Sequence, residues 1–178
     1  AFQSKNILLS GELTRDSKIV FQRTVRERVR EVAPFLVVQQ EEGMYPVIHE
    51  GRIVWIVDAF TASSSFPLSR LVGFDGRGVR YIRNSVKATV DAVTGEVRLY
   101  ATHIDDPVLV AYARIFPQLL RPIAEMPEEL QKHLRYPADL MLLQAQVLGE
   151  YHLLDPRNFY EQQDVWSVAS EQYRGTPV

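Results

Sequence analysis

Asp58 and Asp91 each close a run of apolar, strand-like residues. If those runs are neighbours in a sheet, the two carboxylates would serve as the acid and base of a hydrolase, which needs them about 5–9.5 Å apart. Turn-flanking aspartates also accept local backbone N–H groups, which is the structural alternative. Arg77, Arg80, Arg83 and Lys87, with Tyr81 interleaved, make the most basic stretch and would grip an anionic polymer or lipid head group; otherwise they are a solvated strand face. His103, Asp105 and Asp106 are the densest set of metal-ligating types, but Asp106 is explained as a helix cap and no second cluster stands at ligand spacing, so no metal is expected. His49 with Glu50 sits in a tight turn, and His152 follows a helix whose negative end it would meet. Ser63, Ser64, Ser65 and Ser69 lack a nucleophile elbow or an S-x-x-K partner, and Gly73, Gly76 and Gly78 lack the Lys-Ser/Thr of a phosphate loop. No catalytic residue and no cofactor is assigned.

The composition fits that restraint. The 178 residues are 46% hydrophobic with a net charge of -2, ordinary for a globular chain and without the overall basic balance that draws a protein to nucleic acid. Cysteine is absent, which excludes disulfides, thiolate zinc sites and thiol catalysis. The longest stretch free of Asp, Glu, Lys and Arg is the 11 residues 59–69, well short of the roughly 18 a membrane helix requires. The chain opens on Ala with no leader before it, so it is expected to be a piece excised from a longer protein.

The elements that must position these residues follow from periodicity. Ile7, Leu8 and Leu9 start either a helix or a strand, ended by Gly11. Thr24 and Glu27 have capping-box spacing ahead of a helix bearing Val25, Val29 and Val32 on one face, stopped by Pro34. Residues 35–38 read as a strand, and 45–50 and 52–58 as a hairpin turning at Glu50-Gly51. The second arm is apolar on both faces, hence central. Residues 86–91 and 97–102 form a second hairpin with one wet face, Gly95 taking its left-handed position. The stretch 62–78 between the hairpins is expected as one long loop. Asp106-Pro107, Pro127, Pro137 and Asp155-Pro156 open helices, the third with a wide apolar surface that predicts wide burial. Residues 165–168 read as a final strand. The sum is an α+β domain over residues 1–170, with a mainly antiparallel sheet built from two hairpins and helices from both ends of the chain, followed by a loose tail over 171–178.

Ordered segments also resemble a known family. They are I-L-L-S (7–10), L-T-R-D-S-K-I (13–19), R-E-R-V (26–29), A-P-F-L (33–36) and W-I-V-D-A-F-T (55–61), then Y-I-R-N-S-V-K (81–87), M-P-E-E-L (126–130), H-L-R-Y-P (133–137) and D-V-W (164–166). The set resembles uncharacterised protein family 0182, large bacterial proteins with several N-terminal membrane spans and a large domain outside the cytoplasm. The resemblance implies a soluble part of that outer domain at the cell membrane, partnered by the membrane-anchored remainder of the same chain. It implies no catalytic motif or ligand. The chain departs from the family pattern at Phe60, Phe66 and Leu68, where the family tends to have Tyr.

Two readings of function follow. One is an interaction or assembly module meeting protein partners or anionic envelope components, with no nucleic acid. The other is an envelope hydrolase or transferase joining Asp58, Asp91 and Arg80/Arg83. A third, weaker signal is the V-D-A-x-T-G-E-V hairpin (90–97), similar to hairpins of PepSY-type domains associated with inhibiting or regulating proteases.

Overall fold

A computed structural model of the protein describes residues 24–38 and 43–169, together with the backbone of 172–173 and 176–177. The expectations for Ile7, Leu8, Leu9 and Gly11, and the first family strings, lie outside the described residues. Helix α1 (Val25–Val32) starts as its capping box dictates: the Glu27 N–H donates to Thr24 Oγ1 at 3.2 Å and the Thr24 N–H to Glu27 Oε2 at 3.2 Å. Strand β1 (Val37–Val38) follows, then the hairpin β2 (Met44–His49) and β3 (Arg52–Ser63), turning at Glu50 and Gly51 with φ of 49° and 72°. Both turn residues are left-handed, which matches a two-residue hairpin turn to the twist of its strands.

Strands β4 (Val72–Phe74) and β5 (Arg77–Val79) form a small separate hairpin inside the stretch expected as one long loop. Asp75 and Gly76, both at positive φ, make that turn, a dipeptide signal in plain view in the sequence. Strand β6 (Tyr81–Asp91) is five residues longer at its start than periodicity shows, and β7 (Val97–Ala101) returns along it past Gly95 at φ 72°. Helix α2 (Pro107–Ile115) is capped by Asp106. After it, β8 (Leu120–Pro122) pairs in parallel with β7, a strand too short and too proline-rich to announce itself. A 3-10 turn (Ile123–Glu125), α3 (Glu128–Gln131), α4 (Ala138–Tyr151) and α5 (Pro156–Glu161) complete the set. Residues 165–168, expected as a strand, have no regular structure, and β9 (Gln172–Tyr173) pairs with β10 (Thr176–Pro177) instead.

The main sheet runs β1-β3-β6-β7-β8, with β2 beside β3 on the edge it shares with β1. All its pairings except β7-β8 are antiparallel, so the chain is α+β. One sheet face packs Val57, Ala59, Val86 and Ala88 against Val29 of α1 and Leu109 of α2. The opposite face packs Ile56 and Tyr100 against Leu130 of α3, and Phe60 against Phe74 and Leu140 of α4. Wide burial of α4 does not occur: among its residues only Leu140 and Gly149 are buried, and Met141, Leu142, Leu148 and Tyr151 are exposed. An apolar stripe becomes core only where another element covers it, and much of the α4 stripe is left open.

Candidate functional site

The β3-β6 pairing holds one irregularity. Ala59 faces Val86, yet Thr61 faces Arg83, so β6 carries one residue more than β3 across this step. A bulge of this kind reverses which side of the sheet the following residues face. Beyond it, Tyr81 and Arg83 fall on the α2 side, while Lys87 stands across from Asp58 on the α4 side. An uninterrupted strand would put all three on one side.

On the α2 side the displaced residues converge on Asp106. Its Oδ2 accepts from Thr61 Oγ1 at 2.5 Å and from Ser85 Oγ, and its Oδ1 from Tyr81 Oη at 2.7 Å and the Val108 N–H at 3.0 Å. The residue is fully buried. Burial opposes its ionisation, but the hydroxyls of Ser85, Thr61 and Tyr81 and the backbone N–H outweigh this and hold the carboxyl below the usual range.

On the other side, Lys87 Nζ bonds the Asp58 carboxylate and also donates to the Arg135 carbonyl at 2.9 Å. Both side chains are almost wholly buried. The Asn84 amide adds a 3.4 Å bond to Asp58. Burial pushes the Asp58 carboxyl up, against the pull of Lys87 and then of Asn84. The segment 133–137 that closes over this pair is pinned by Tyr45, whose Oη donates to the His133 carbonyl at 3.0 Å and accepts from the Arg135 N–H at 3.1 Å. The Arg135 guanidinium lies 4.5 Å above the Tyr45 ring. Thus Y-I-R-N-S-V-K and H-L-R-Y-P, fifty residues apart in sequence, meet at one point. Between them opens a pocket of about 480 Å³ lined by Arg83, Lys87, His103, Arg135 and Tyr136 among others.

The residues singled out by sequence are distributed as follows. Arg83 and Lys87 share that pocket; Arg77 is exposed near the β4-β5 turn, and Arg80 donates to the Ser69 carbonyl. Asp91 lies four residues from Lys87 along β6, hence roughly 13 Å from the Asp58 pairing position at strand rise, too far for a shared acid-base step. The N–H groups of Thr94 and Val93 hold the Asp91 carboxyl below its usual range, as a turn aspartate should be. His49 Nδ1 is 3.3 Å from Glu129, and His152 Nδ1 sits 2.8 Å from the Gly149 carbonyl at the end of α4, stacked on Trp166. Among the described residues no group of three His, Asp or Glu could hold a metal ion, and no helix is long and apolar enough to cross a membrane. Arg135, Tyr45 and Thr61 were not singled out. Only the polar and aromatic run 133–137 between two helix starts hinted at Arg135. The arrangement offers cationic and amide donors with its carboxylates already engaged, so it is suited to hold an anion.

The UPF0182 model, described as an uncharacterised protein family, matches residues 1–177. The chain belongs to this family. Similar UPF0182 proteins include those of Desulforamulus reducens (42% identical over 172 residues, 96% of this chain and 18% of the relative) and Methanospirillum hungatei (43% over 176 residues, 97% and 19%). Another is that of Synechococcus sp. (45% over 171 residues, 96% and 20%). This UPF0182 segment therefore spans about a fifth of the length of the curated relatives it matches. No solved structure matches it.

Two outcomes test the buried groups. Replacing Lys87→Met leaves Asp58 buried without its partner and should cost about 3–5 kcal/mol in denaturant unfolding, most of it recovered in the Asp58→Asn/Lys87→Met double variant. Equal losses in the single and double variants would contradict this. Asp106, with its folded value depressed, contributes stability that is present above its ordinary value of 3.8 and lost as pH falls through the folded value. Asp106→Asn should therefore lower stability by about 2 kcal/mol at neutral pH and make its decline in acid shallower than the parent's. An unchanged acid slope would refute the role.

Proposed function

We propose that this segment is an interaction module of a larger membrane-anchored protein, held outside the cytoplasm, and that its C-terminal apolar surface docks onto the remainder of the same polypeptide. The observation that carries this reading is the surface itself. Met141, Leu142, Leu154, Phe159, Tyr160 and Trp166 are all exposed, Leu154 at 96% and Tyr160 at 88%. Burying each such side chain is worth about 1.5–3 kcal/mol, and monomeric proteins rarely leave so many together in water. The occupant follows from length: the relatives carry roughly four fifths of their chains beyond this segment, and that is the nearest polypeptide available to cover it. The saturated state of Asp58, Asp91 and Asp106 supports binding over turnover. The membrane and its outer side are supported by the family resemblance.

The absence of cysteine from the segment makes a direct test possible. In the full-length protein, otherwise cysteine-free, Val93→Cys in the exposed hairpin loop should react with a membrane-impermeant maleimide on intact cells, and Leu154→Cys should react only after denaturation. A Val93→Cys that reacts only after lysis would refute the location. A Leu154→Cys that reacts as fast as Val93→Cys would refute the docking, and oxidative linkage of two Leu154→Cys chains would give the face to a second copy instead.

A further inference from the structure

The cationic pocket does not end at the sheet edge. A second, longer groove of about 650 Å³ runs between α4 and the start of β6 with the β4-β5 hairpin, floored by Val72, Val79, Leu143 and Val147. The two spaces share Ile82, Leu140 and Gln144 in their walls, so the cationic pocket lies directly beside an apolar groove. Among the described residues neither is lined by Asp or Glu, whereas Arg83, Lys87 and Arg135 line the first and Arg80, with Arg70 in its ion pair to Glu150, the second.

We infer that this continuous site binds an anionic phospholipid, its phosphate in the pocket and one acyl chain along the groove. The charge comes from the two guanidinium groups, because Asp58 neutralises Lys87. Arg83 is paired at 3.2 Å with Asp105, which is itself 69% exposed, and also interacts with the Tyr81 hydroxyl; an ion pair so open to solvent is weak, and a phosphate replaces it readily. Arg135 has no carboxylate partner among the described residues; its guanidinium rests on Tyr45 and is free to fork onto phosphate oxygens. The Lys87 ammonium has three N–H donors and, among the described residues, two acceptors, Asp58 and the Arg135 carbonyl, which leaves one for the ligand. A free phosphate would satisfy the pocket but leave the groove empty. An uncharged amphiphile would fill the groove and leave Arg135 without a counter-ion.

The inference uses the membrane reading above only for the supply of lipid, and its side chains are not those of the proposed docking face, so either can fail alone. The test is photolabelling of the full-length protein in vesicles containing phosphatidic acid with a photoactivatable acyl chain. Adducts should map to residues 140–151 and fall by about tenfold or more in Arg83→Gln/Arg135→Gln, both changes being at solvent-accessible positions. The phosphatidylcholine analogue should label about tenfold less than phosphatidic acid. Absence of adducts on 140–151, equal labelling by phosphatidylcholine, or an unchanged yield in the double variant would overturn the inference. Abolition of labelling by millimolar inorganic phosphate would do so too, since the groove would then contribute nothing.

Discussion

One extra residue in β6 governs the polar architecture of this domain. A regular strand from Tyr81 to Asp91 would direct Tyr81, Arg83, Ser85 and Lys87 to a single side of the sheet. The bulge opposite Phe60 divides them, sending Tyr81, Arg83 and Ser85 toward α2 and leaving Lys87 facing α4. Both faces of a central strand are covered here, so each polar side chain there must find a partner or cost stability. The bulge makes two partnerships possible where a flat ladder would crowd one.

Those partnerships fasten opposite layers to the same stretch of sheet. Asp106 gathers three hydroxyls and caps α2 with the same carboxylate, so α2 is tied to β3 and β6. Lys87, held by Asp58, reaches the Arg135 carbonyl and draws down the segment that leads into α4. Groups committed in this way position the chain and are not free to exchange protons with a substrate. What they leave uncommitted is cationic, at the pocket rim, or apolar, on α4 and the segment after it. These groups fit the interaction role proposed above, their chemistry suiting an anion, a hydrocarbon chain and a protein face.

Much of the fold was legible because the signals were local. Thr24 and Glu27, Asp106 with Pro107, and Glu50 with Gly51 each specify a cap or turn within four residues, and each formed. The α+β class followed from strand-like runs grouped ahead of helical ones. The failures lay where long-range packing decides. Strand β8 exists because β7 offers it an edge, whereas residues 165–168 pair with no strand among the described residues. The apolar stripe of α4 predicted burial that the described residues do not supply. At the candidate site, the alternation over 86–91 was plain, but nothing local marked the reversal at Asn84 and Ser85. Two adjacent polar residues that are both buried are its trace, and burial is not visible in sequence. Of the basic stretch Arg77, Arg80, Arg83 and Lys87, only Arg83 and Lys87 line one pocket, while Arg135 belonged to a string whose place required the fold.

The register of β3 against β6 sets this arrangement, and nuclear Overhauser contacts between backbone protons of the two strands read it directly. The predicted pattern pairs Ala59 with Val86 and Thr61 with Arg83. Contacts placing Thr61 opposite Asn84, in continuous register with Ala59 and Val86, would remove the bulge and with it the division of polar groups between the two sides of the sheet.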